Sequence, residues 1–154
     1  MKAILAAAAM LAGCYSYDKP VVAPTALANA TTAVSHARVG CVDIEMTRIA
    51  RAPTPIVAYQ FTNTCDHEAR VDSSAYVLQT VVVDHDGDWT KLWPVQRRHQ
   101  NPTWTGYRLD AHETQVAERT YRGGGLADDA KICTDVGGAD PRIAYAPHWA
   151  CVRY

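Results

Sequence analysis

Residues 42–47 read Val-Asp-Ile-Glu-Met-Thr, with apolar side chains at 42, 44 and 46 and polar ones between them. Side chains alternate between faces along a β-strand, so this period of two describes a strand with one buried and one wet face. The same texture returns through the rest of the chain. Residues 56–62 place Val57, Tyr59 and Phe61 on one face, after a turn at 51–55 in which two prolines fix φ and remove donors. Residues 76–83 are rich in β-branched side chains. Asp84-His-Asp-Gly-Asp88 then reverses the chain, because Asp and Gly tolerate positive φ, and residues 89–93 return. Further short strands are expected at 106–109, 114–121, 131–136 and 151–154. No sustained 3.6-residue period appears beyond residue 39. Seven to eight short strands without a helix predict an all-β fold, an antiparallel sandwich of immunoglobulin-like kind. The Cys–Trp–Cys spacing of a true immunoglobulin domain is not evident.

The first residues follow different rules. Lys2 is followed by residues 3–13 without a charged or strongly polar side chain. As a helix this run would be about 16 Å long, too short for a hydrocarbon core of about 30 Å, so it reads as a signal-peptide apolar region and not as a spanning helix. The run ends in Leu11-Ala12-Gly13-Cys14. This resembles the lipobox of bacterial lipoproteins: Leu, two small residues, then the cysteine that carries lipid. The resemblance covers residues 1–14 alone. It implies cleavage before Cys14, a diacylglycerol group on its thiol and acylation of its freed amine. Tyr15, where this class often carries Asp to retain a protein at the inner membrane, implies the outer membrane. Two or three acyl chains at about 0.8 kcal/mol per buried methylene would anchor the chain durably.

Residues 15–38 are rich in Ser, Thr, Ala and Pro and lack periodicity. They read as a flexible tether of about 24 residues, spanning roughly 25–30 Å. The expected organisation is a signal peptide at 1–13, a lipidated cysteine and tether at 14–38, and a sandwich domain at 39–154.

Assigning Cys14 to lipid leaves Cys41, Cys65, Cys133 and Cys151. An even set in an exported chain implies two disulfides, with three connectivities open. Cys41 and Cys65 are equidistant from residue 53 in the turn, and Cys133 and Cys151 are equidistant from Arg142. Spacing therefore favours 41–65 and 133–151. Tying Cys41 or Cys65 to the C-terminal pair remains the alternative. Zinc is disfavoured, because no C-x₂₋₄-C pair or paired His spacing is present.

The chain carries 15 Lys+Arg against 16 Asp+Glu, which argues against a general nucleic-acid binder or a polybasic membrane-surface protein. The balance is local as well as global. Asp84, Asp86 and Asp88 make an acidic tip, read as a solvated hairpin turn with weak Ca²⁺ binding as the alternative, since the EF-hand spacing fails at its Gly and Glu positions. No other metal site and no cofactor is expected. Residues 89–109 follow with four cations, no acid and the aromatics Trp89, Trp93, Trp104 and Tyr107. Trp, Tyr and Arg dominate binding hot spots, so Trp93, Arg97, Arg98, His99 and Trp104 are the candidate binding residues, for an acidic envelope protein or an anionic polymer. The competing reading packs the tryptophans in the core.

No nucleophile elbow, phosphate loop or convergent acid, base and nucleophile is visible, so no enzyme is expected. The expected role is structural or binding work by a lipid-anchored envelope protein, with its domain in an oxidising compartment. The alternative is a small envelope hydrolase or metal-dependent enzyme. A concave pocket holding acid, base and nucleophile favours the enzyme, and an open surface with exposed Trp and Arg favours binding.

Overall fold

The computed structural model describes residues 33–51, 54–74, 77–95, 106–122 and 126–154. Among them the chain is all-β and antiparallel, with ten strands and no helix. They are β1 Val34–Val39, β2 Val42–Ala50, β3 Ile56–Asn63, β4 Ala69–Asp72 and β5 Gln79–Val83. The second half contributes β6 Trp89–Leu92, β7 Gly106–Leu109, β8 Thr114–Thr120, β9 Lys131–Asp135 and β10 Trp149–Arg153. One sheet has the order β1-β2-β3-β8, the second β10-β9-β5-β6, and β4 pairs with β7. The fold is a β-sandwich of immunoglobulin-like kind tied by two disulfides.

The period of two sets which side chains face inward. Val42, Ile44 and Met46 of β2 and Val57, Tyr59 and Phe61 of β3 are all but fully buried. Their partners from the second sheet are Val82, Ile132, Ala150 and Val152, in one continuous core. Burying a side chain of this size stabilises the fold by about 1.5–3 kcal/mol.

Two expectations are corrected. The domain does not begin at residue 39, because β1 starts at Val34 and takes the end of the stretch assigned to the tether. Its small and polar composition hid an alternation in which Ala37 and Val39 turn inward while His36 and Arg38 face solvent. The strand then turns through Gly40, at φ +57°, directly into β2 with Val39 opposite Val42. The strand count is also higher than seven to eight. Ala69–Asp72 is a strand that four residues of sequence did not reveal, and it pairs with β7.

Both favoured disulfides are present. Cys133 and Cys151 sit opposite each other on β9 and β10 with Cα atoms 4.1 Å apart. Cys41 and Cys65 are joined just past the last β2–β3 pair, Val42 with Asn63, with Cα atoms 5.4 Å apart. Each closes a loop worth about 3 kcal/mol in the chain-entropy account.

A closed ring of four hydroxyls crosses the middle of the sandwich. Tyr59 on β3 meets Tyr121, just after β8, at 2.8 Å, and Thr134 on β9 at 2.8 Å. Thr80 on β5 closes the ring to Tyr121 and to Thr134, each at 2.9 Å. Every hydroxyl can donate once and accept once around such a ring, so no buried polar atom is orphaned. Burial raises the pKa of both tyrosines, Tyr121 well above its ordinary value, which keeps the ring neutral.

Candidate functional site: the outer face of the second sheet

The second sheet is apolar on both sides. Its inward residues belong to the main core. Its outward residues Val81, Val83, Cys133 and Cys151 form a second buried cluster, with Trp149 packed against it. Strand register lays this face out in rows. Arg153, Lys131, Val83 and Trp89 share one rung, Cys151, Cys133, Val81 and Lys91 the next, and Trp149, Asp135 and Gln79 the third. Trp93 follows β6 on the same side as Lys91, whose ammonium lies 4.4 Å from the centre of the Trp93 ring. Trp89 and Trp93 are 39% and 53% exposed. They flank the disulfide-bearing centre on β6, while Trp149 flanks it on β10.

Of the residues singled out by sequence, Trp93 therefore stands on this face, exposed, and is not a core residue. Arg97, Arg98, His99 and Trp104 lie outside the described residues. Sequence reasoning missed Trp149, Lys131 and Arg153, which are distant in the chain and reach the face only through the β9–β10 pairing. The one available signal was that positions 131, 133 and 135 and 149, 151 and 153 fall on a single side of their strands.

Positive charge gathers at one end. Arg48 on β2 donates from Nη1 to the Arg153 carbonyl. Its pKa is pushed down, first by burial and then by the neighbouring Arg51 and Arg153. An anion placed beside these guanidiniums would relieve their mutual repulsion. The corner next to Trp89 is bounded instead by the acidic tip between β5 and β6. There Asp84 turns its carboxylate back onto the chain, accepting from the backbone N–H of Asp86 at 3.0 Å and of Asp88 at 2.9 Å. Gly87 at φ +87° completes the turn. Asp84, Asp86 and Asp88 thus cap a hairpin and are not gathered as ligands. Among the described residues the group of three ligand-type side chains close enough for a metal is Cys41, Cys65 and His67.

The 136–148 loop borders the third rung and is held by two buried aspartates. Asp135 accepts from the N–H of Gly137 at 2.9 Å and of His148 at 3.0 Å, and from the Tyr145 hydroxyl. Asp140 accepts from Arg142 Nε at 3.1 Å and Nη2 at 3.0 Å, a bidentate pair. Burial and the Asp135 carboxylate push the Tyr145 hydroxyl up to about 12. Because that value lies above the ordinary tyrosine pKa of about 10, the contact stabilises the loop fully below about pH 10 and is lost as pH rises through about 12. Tyr145→Phe should remove a late step from the phenolate absorbance titration and flatten the pH dependence of stability in that window. An unchanged titration would contradict this assignment.

An open groove of about 580 Å³ lies on the outer face of the first sheet and is lined by His36, Arg38, Asp43, Glu45, Gln60, Thr62 and His148. Its charges are already matched, with Arg38 Nε 3.5 Å from Asp43 and His36 3.9 Å from Glu45. Its hydroxyl, Thr62 Oγ1, is 3.0 Å from Thr114 Oγ1. The turn from Asp110 to Glu113, which leads into β8, is capped by Glu113, which accepts from the Asp110 N–H at 2.8 Å.

Among the described residues no helix is long and apolar enough to cross a membrane, and the two disulfides point to an oxidising compartment outside the cytoplasm.

No protein-family model matches the chain, and no curated protein matches it. Two solved structures align with the chain. The yjhA protein from Bacillus subtilis aligns with 77% of this chain and 94% of its own, at 8% identity and a TM-score of 0.49. A DUF1425 family member from Shewanella sp. pv-4 aligns with 68% of this chain and 89% of its own, at 12% identity and a TM-score of 0.35.

Proposed function

We propose that this protein is a bacterial envelope lipoprotein, anchored by lipid on Cys14, whose sandwich is a binding module and not an enzyme. Residues 1–13 are then the cleaved signal, and the stretch from Cys14 to the start of β1 tethers the domain to the membrane, with Tyr15 favouring the outer membrane. The observation that carries the binding reading is the exposed pair Trp89 and Trp93 beside Lys91 on the outer side of the second sheet. Rigid aromatics with adjacent cations supply large contact area at small entropic cost. Arg48, Arg51 and Arg153 favour a partner with negative charge, either an acidic envelope protein or an anionic envelope polymer. The stretch 96–105, with Arg97, Arg98, His99 and Trp104, carries the same residue types in the sequence. The groove on the other sheet supports a hydrolase less well, because its acids and bases are paired with each other and it brings no activated nucleophile among them.

A photo-crosslinking side chain placed at Trp93 should trap a discrete partner in intact cells. The same side chain at the exposed Gln60, on the opposite sheet, should trap none. Equal capture at both positions, or none at Trp93, would contradict a partner on this face.

A further inference from the structure

The two disulfides stand in different chemical surroundings. Cys133 and Cys151 are 0% and 4% exposed and lie across a strand pair, so a reagent reaches them only if the sheet opens. Cys41 and Cys65 are partly exposed at the end of the first sheet, and the exposed His67 places Nε2 3.9 Å from Cys41 Sγ.

The backbone around the second bridge is held independently of it. Thr64 donates its N–H to the Cys41 carbonyl at 2.8 Å and its hydroxyl to the same oxygen at 2.9 Å. The fully buried Asn63 accepts from the Cys65 N–H at 3.0 Å and donates to the His67 carbonyl at 2.7 Å and the Asp110 carbonyl at 2.9 Å. None of these contacts runs through the sulfurs, so they support the backbone of both cysteines without the S–S bond. The charged groups around the site are Arg38 on β1, Asp43 on β2, Asp66 in the loop and His112 on the neighbouring turn. Arg38 is engaged with Asp43 at 3.5 Å and His112 with Asp66 at 3.1 Å, so the group in direct contact with sulfur is His67.

The geometry points to Cys41–Cys65 as a thiol–disulfide exchange site, with His67 positioned to receive the charge that forms on Cys41. The co-reactant is a dithiol, such as a dithiol oxidoreductase of the same compartment. One thiolate of the dithiol attacks Cys65 Sγ, forming a mixed disulfide as the Cys41–Cys65 bond breaks. The electron pair leaves with Cys41 as thiolate, and the His67 imidazole, with Nε2 3.9 Å from that sulfur, is placed to donate a hydrogen bond or a proton to it. The second thiolate of the dithiol then attacks its own partner's sulfur in the mixed disulfide and releases Cys65, which takes a proton from solvent. Two electrons and two protons pass from the dithiol to the cystine. An imidazolium beside a thiol lowers its pKa and makes it the better leaving group.

The test is time-resolved reduction of the folded protein with dithiothreitol, quenched by alkylation and read by peptide mapping. Cys41 and Cys65 should become alkylated at least about tenfold faster than Cys133 and Cys151, with the far-UV circular dichroism unchanged. The Cys41 thiol should titrate below the ordinary cysteine value of about 8.5. His67→Gln, an exposed position that folding tolerates, should raise that value towards the ordinary one and slow reduction about threefold or more at neutral pH. Simultaneous opening of both bridges with loss of the dichroism signal would overturn the assignment, as would a His67→Gln protein with unaltered rate and thiol pKa.

Discussion

Thr134→Val should destabilise the protein by about 2 kcal/mol, although the two side chains have nearly the same shape. Val cannot donate or accept, so Tyr59 and Thr80 each lose a partner 2.8–2.9 Å away in a place that water does not reach. Leaving a buried hydroxyl unsatisfied costs about 1–3 kcal/mol, more than the net worth of the bond that was removed. The expected fall in Tm is about 5–10 °C for a domain of this size. The ring also predicts a particular non-additivity. Replacing all four hydroxyl residues together, as Tyr59→Phe, Tyr121→Phe, Thr80→Val and Thr134→Val, leaves no orphan. That protein should be far more stable than the sum of the four single changes implies, because apolar groups of the same shape replace both partners of every bond. Four additive losses in denaturant melts would show that the hydroxyls act separately and not as a ring.

Gly137→Ala should have an effect as large or larger, about 3 kcal/mol, for a steric reason. A Cβ on Gly137 would lie 1.8 Å from the Ala146 carbonyl oxygen and 2.9 Å from its carbon. These are backbone atoms, so no rotamer change relieves the overlap. The chain on one side of the 136–148 loop must move. Asp135 lies at the centre of what would be lost, since its carboxylate holds Gly137, Tyr145 and His148 together. Trp149 follows His148 directly and packs on the outer cluster, so its near-UV dichroism should change along with stability. A Gly137→Ala protein with wild-type melting and an unaltered tryptophan signal would contradict the close approach of these two segments.

Much of the fold was legible because burial acts through a period of two. The alternation at 42–47 and 56–62 located β2 and β3, and the Asp-Gly turn located the β5–β6 hairpin. Equal spacing of the cysteines about turns found both bridges: Cys133 and Cys151 are direct cross-strand partners, while the irregularity at Arg48–Ala50 sets Cys41 and Cys65 one residue out of register, still within reach of each other. What stayed hidden depends on contacts between distant segments. β1 is short, polar on one face and small on the other, so it resembles a tether until β2 supplies its partner. β4 has only Ala69 and Val71 to bury and gains its identity from β7. The hydroxyl ring draws one residue from each of four separate stretches, and nothing local distinguishes Tyr59 or Thr134 from a residue that meets water. The face proposed for binding was half legible. The run of tryptophans and cations after residue 88 was visible, but Lys131, Trp149 and Arg153 join it only through the sheet order. The acidic tip shows the converse. Three aspartates spaced by two suggest a cation site, yet Asp84 is already occupied by two backbone N–H groups.

The proposed function requires a domain held at a membrane by lipid on Cys14. The most direct measurement is the mass of the N-terminal peptide of the mature protein, together with the membrane fraction in which it is found, for the wild type and for Cys14→Ser. The expected result is a wild-type peptide that begins at Cys14 and carries the mass of a diacylglyceryl group and an added acyl chain, in the membrane fraction. Cys14→Ser should lose that mass and leave the membrane. A wild-type peptide without lipid, or a Cys14→Ser protein that stays fully membrane-bound, would contradict the account.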